Sequence, residues 1–164
     1  MVADIIVDIK HQGRIIMAKC LYHYTTTKWV PAILESGYLK LTESNLKDMR
    51  ASNYWDPIAY NEGTMKLYKP VVWMTDLDTP DSNNLGLISP VDKCEVRITI
   101  KKQPYFKKWL EWSRKNNINL EWARMLEKGR KPKNWWISET IVKMDIIVKI
   151  ENLKTGEVYF EQNT

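Results

Sequence analysis

At 164 residues and 19.4 kDa the chain has room for one domain with a real core, and it holds no apolar run near the roughly 18 residues of a membrane span. Its 25 Lys and Arg against 20 Asp and Glu leave a net charge of +5, a mild basic bias that permits an acidic partner such as nucleic acid or a phosphorylated cofactor. Cys20 and Cys94 lack C-x-x-C spacing, which argues against a zinc site or a disulfide framework; with no signal-peptide pattern at the front, a cytoplasmic protein in a reducing compartment is expected.

In chain order, Asp4–Lys10 and Arg14–Lys19 read as two strands joined by the turn His11-Gln12-Gly13, and Cys20–Tyr24 continues or follows the second. Lys28–Ser36 sets Trp29, Val30, Ile33 and Leu34 at helical spacing, with Thr25 to Thr27 as N-caps, Pro31 in the first turn and Gly37 just past the end. Leu39–Leu41 suggests a short strand. Thr42–Lys69 has no clear period and reads as a functional loop or lid, whereas Val71–Thr75 reads as a buried strand. Asp76–Pro90 is loop by composition. Lys93–Ile100 alternates as a strand, placing Cys94, Val96, Ile98 and Ile100 on one face.

Tyr105–Arg114 and Asn119–Lys128 are expected to be short helices, the first with Phe106, Trp109, Leu110 and Ser113 on one side. Asn134–Glu139 leads into a strand around Met144–Ile150, and Glu157–Glu161 follows the turn Asn152–Gly156. The whole is one α+β domain over residues 1–164, richer in strand than in helix. Eight Trp and eight Tyr against two Phe supply core packing and half-buried walls. The basic clusters Lys101-Lys102, Lys107-Lys108 and Lys128–Lys133 read first as solvated faces, and the last also as a nucleic-acid contact.

Three motifs stand apart: Leu21-Tyr22-His23-Tyr24-Thr25 with its following helix and Gly37, Val71-Val72-Trp73-Met74-Thr75, and Ser138-Glu139. In this order they resemble the ADP-ribosyltransferase superfamily, with its strand–His-x-Ser/Thr–helix–Gly signature, its aromatic strand motif and its late catalytic glutamate. The resemblance spans residue 21 to about 150 and implies an ADP-ribosyltransferase-like split β-sandwich, two facing sheets around a cleft lined by His23, Trp73 and Glu139. It implies NAD as substrate, with no metal. Breaking the nicotinamide–ribose bond develops oxocarbenium character, as glycoside cleavage does, and a carboxylate beside that ribose stabilises it. By the resemblance Glu139 takes that catalytic role and His23 holds the nicotinamide ribose. The main chain of Tyr24 then meets the carboxamide, Thr25 and Thr75 line the site, and Trp73, Tyr54 or Tyr60 stacks on the nicotinamide. Arg50 and Arg97 are candidates for the diphosphate.

Tyr24 stands where His-Gly-Ser/Thr members carry glycine, and Trp73 stands where a tyrosine is usual. Ile137 occupies the position where arginine-modifying members carry an acid or amide, which disfavours that subclass. Two histidines are few for an RNA 2′-phosphotransferase. The implied activity is transfer of ADP-ribose to a macromolecular acceptor, protein or nucleic acid, in a toxin or phage/host-conflict effector. The alternatives are a catalytically silent relative that binds a protein partner and a basic module that binds nucleic acid by stacking.

Overall fold

The computed structural model describes residues 20–41, 71–85, 87, 91–116, 118 and 120–163. The expected hairpin around His11 lies outside the described residues, as does the 42–69 stretch with Arg50, Tyr54 and Tyr60.

Strand β1 (Cys20–Thr25) is followed by a 3₁₀ turn at Thr27–Trp29, helix α1 (Val30–Ser36) and β2 (Tyr38–Leu39). Next come β3 (Val72–Thr75), the single helical turn α2 (Ser82–Leu85), β4 (Val96–Lys101), β5 (Lys107–Lys108), α3 (Trp109–Lys115) and α4 (Leu120–Glu127). A 3₁₀ turn at Pro132–Asn134 leads into β6 (Trp135–Ser138), then β7 (Val142–Lys143), β8 (Ile147–Asn152) and β9 (Val158–Glu161). The fold is mixed α+β, and its main sheet is antiparallel in the order β5-β6-β3-β1-β4-β8-β9. Among the described residues, the two-stranded β2–β7 ribbon packs against one face of the seven-stranded sheet.

Alternation along strands and register across them divide the residues between two faces. The pairs His23↔Ile98 and Ile98↔Ile150 set one face, and Leu21, Met74 and Trp136 belong to it. Val30 of α1, with Leu39 and Val142 of the ribbon, covers that face. Tyr22↔Thr75, Thr75↔Trp135 and Trp73↔Ile137 set the other, where Trp109 and Trp112 of α3 and Ala123 of α4 pack. Ile98 and Ile150 have no accessible surface, each stabilising by about 1.5–3 kcal/mol relative to exposure.

The junction after β1 keeps the expected proline and glycine but not the expected threonine caps: a 3₁₀ turn at Thr27–Trp29 precedes the helix, Trp29 stands at its N-cap without a side-chain bond, and the Thr26 and Thr27 hydroxyls donate to Glu95 instead. Pro31 lies in the first turn of α1, and Gly37 (φ 78) takes the left-handed position, donating its N–H to the Ile33 carbonyl at 2.9 Å. The expected helix Tyr105–Arg114 begins only at Trp109, because Phe106 enters the first core while Trp109 enters the second. A helix would put residues three apart on one side, so burial on both sides of the sheet edge forces Lys107–Lys108 into strand pairing with β6. The strand expected from Lys93 starts at Val96, since the Asp92 carboxylate accepts the Cys94 N–H at 2.9 Å and turns the chain. Trp135 and Trp136 alternate between the two cores, so 135–138 is itself a strand rather than a lead-in.

Candidate functional site

β1 is the central strand, and its two flanks are unequal. It runs in register with β4 from Cys20↔Lys101 to Thr25↔Val96, but with β3 it shares only Tyr22↔Thr75. Beyond Tyr22 no further register pair joins β1 to β3, so the two strands part at His23. The imidazole bridges the parting instead: His23 Nδ1 lies 2.7 Å from the Trp73 carbonyl oxygen. A carbonyl only accepts, so the proton belongs on Nδ1 and Nε2 of the neutral ring is an acceptor. His23 as a residue is half-buried, and burial of its imidazole lowers its pKa. Lys93 pushes the same way, and the bond to Trp73 opposes them. Such a ring is neutral at pH 7 and offers a fixed lone pair to a ligand hydroxyl.

Thr25 is buried on the His23 face. Tyr24 and Thr75 are buried on the other face. The phenol of Tyr24 finds its outward path there, donating to the Leu77 carbonyl at 2.8 Å, and burial raises its pKa. Thr75 Oγ1 accepts the Leu77 N–H at 3.1 Å and shapes the turn after β3. Trp73 also lies on that face, its ring 4.9 Å from Trp109 and 6.0 Å from Trp135, so its indole is part of a tryptophan cluster and does not share the face of His23.

Glu139 follows Ser138, which pairs with Val72, so it stands at the same end of the sheet as Thr25. Two strand spacings, about 10 Å, separate β6 from β1. Its carboxylate turns toward α3: Oε1 accepts the Trp112 indole N–H at 2.7 Å and Oε2 lies 3.2 Å from Lys107 Nζ. The motif strands β1, β3 and β6 are thus immediate neighbours and bring His23 and Glu139 to one end, while the two side chains are engaged on opposite faces. A shallow hollow of about 230 Å³ opens beside Glu139, lined by Tyr105, Lys107 and Thr140 as well.

Sequence reasoning missed Glu95. Its Oε2 accepts the Thr27 N–H and the Thr27 hydroxyl, both at 3.0 Å, and the Thr26 hydroxyl at 3.4 Å. These bonds hold the carboxyl below the usual carboxylate range and tie the turn after His23 to the start of β4. No local signal marks it, because Glu95 lies 68 residues from Thr27. Arg97 is engaged by the Asp78 carbonyl and by Glu151 at 3.4 Å, over the ring of Tyr22, so its guanidinium lies on the face opposite His23. Among the described residues no three His, Cys, Asp or Glu side chains gather as a metal set, and no helix is long and apolar enough to cross a membrane. No family model, no curated protein and no solved structure matches the chain.

Proposed function

We propose that this chain is an ADP-ribosyltransferase-type domain that consumes NAD and transfers ADP-ribose to a macromolecular acceptor. The observation that carries the reading is the parting of β1 from β3 at His23, where an imidazole with its proton held on Nδ1 bridges to the Trp73 carbonyl. In this reading Nε2 accepts the 2′-hydroxyl of the nicotinamide ribose, and a main-chain group of Tyr24 meets the carboxamide. The C1′–N bond breaks with its electron pair going to nicotinamide, which leaves neutral. The acceptor nucleophile then bonds to C1′ and loses its proton. Glu139 stabilises the developing positive charge once its carboxylate turns from Trp112 and Lys107 toward the ribose.

A second reading is favoured by one observation: the Glu139 carboxylate already satisfies a buried indole and an ammonium. A chain in which that engagement is permanent binds NAD without cleaving it, as a catalytically silent relative. Nicotinamide release and calorimetric NAD binding, measured together, separate the two. The transferase reading expects release by the unmodified chain and a drop of about 100-fold in both His23→Ala and Glu139→Gln, the size seen when one group facing a transition-state charge is lost. Glutamine keeps an oxygen for the Trp112 N–H, so the fold survives the test. Binding without release selects the silent reading, and absence of both overturns the two.

A further inference from the structure

The edge of the sheet at β5 carries a charge arrangement that neither reading uses. Lys102 and Lys108 place their ammonium groups 4.3 and 5.5 Å from the centre of one ring, that of Trp136. Lys133 borders the same edge, since Lys108, Leu110, Glu111, Pro132 and Lys133 line a hollow of about 220 Å³. All three lysines are exposed, and none has an ion-pair partner among the described residues. On the other side of β5 lies the hollow that contains Lys107 and Glu139, with Tyr105 at its wall. Tyr105 is 49% exposed, and its ring is held edge-on by Phe106 at 5.0 Å.

We infer that this edge is a binding surface for single-stranded nucleic acid, with Lys102, Lys108 and Lys133 on phosphates and Tyr105 as a stacking platform for a base. Two ammonium groups near one indole repel each other, and a phosphate bound beside both relieves that repulsion. Contact with the indole already restrains both lysines, so less side-chain freedom is lost when the phosphate arrives. Tyr105 stands across the β5 edge from the lysines and within three residues of Lys102 and Lys108 along the chain, so a single strand that crosses the edge meets both cations and a stacking face, the combination that binds single strands with little sequence preference. An acidic peptide would be drawn to the lysines but would gain nothing from the aromatic ring. A duplex hides its base faces and would also leave Tyr105 idle. The surface stands on its own charges and does not depend on NAD chemistry.

The test is fluorescence anisotropy with a labelled 12-nucleotide single strand, a duplex of the same length and a 12-residue polyglutamate, each across a salt series. Tightest binding is expected for the single strand, with log affinity falling against log salt at a slope of about −2 for three phosphate contacts. Lys102→Ala, Lys108→Ala and Lys133→Ala should each shallow that slope by about 0.7. Tyr105→Ala should weaken binding about tenfold at unchanged slope, and should not affect polyglutamate. Lys154→Ala, in the β8–β9 turn at the opposite edge of the sheet, serves as the control and should change nothing. Equal affinity for polyglutamate or duplex, an inert Tyr105→Ala, or a control as damaging as the lysine variants overturns the proposal.

Discussion

His23 is the residue at which strand pairing and protonation meet. Its folded pKa lies below the ordinary 6.5, because burial disfavours the imidazolium. The unfolded chain then binds more protons than the folded one as pH falls below 6.5, so the stability from the neutral ring is fully present above that value and is lost as pH drops toward the folded pKa. Urea unfolding midpoints should therefore rise between pH 5 and pH 7, and His23→Gln should flatten that rise. Equal pH slopes in the two proteins would remove His23 from the account. Glu95 acts lower, since its pKa is held below 4.5 and its contribution is present above that value and lost beneath it. The placement of His23 on a strand that runs into a helix was legible in the sequence, because an apolar strand, a first-turn proline and a terminal glycine are local patterns. The engagement of Glu139 by Trp112 was not legible, since 27 residues separate them and only the packing of α3 on the sheet joins them.

At the scale of elements, the β1–turn–α1 unit was the most readable part of the chain. Its punctuation by Pro31 and Gly37 obeys local backbone sterics, whereas the expected threonine caps do not form. Gly37→Ala should cost about 1 kcal/mol, because an alanine resists the left-handed conformation that ends α1, and a shift in thermal midpoint would measure it. The turn at Thr27 owes its position to Glu95 as much as to its own residues. Glu95→Ala should leave the sheet folded while speeding hydrogen exchange at the Thr27 amide; unchanged protection there would show that the clamp is dispensable. The elements misread from sequence fail for one shared reason. Residues 105–110 carry a helix-like pattern, yet Phe106 and Trp109 are claimed by different cores across a sheet edge, and a local period cannot report which core claims a side chain.

Across the whole molecule, two cores share one sheet, so they should unfold together. Tryptophan emission from the Trp73–Trp109–Trp135 cluster and far-UV circular dichroism should give coincident urea transitions; separated transitions would mean that the two faces unfold independently. Trp109→Ala should destabilise by about 3–5 kcal/mol, since the ring is fully buried and its N–H bonds Glu127 at 2.7 Å. The sequence by itself determined the α+β class, the strand–turn–helix unit around His23 and the alternating run at Val96, Ile98 and Ile100, because propensity, capping and periodicity act over a few residues. Only the tertiary structure decided that β6, β3 and β1 lie side by side, that β1 parts from β3 at His23, and that Trp73 and Glu139 turn toward the opposite face. Strand order and side-chain facing follow from register between segments dozens of residues apart, and a shift of one residue in that register would exchange the two faces.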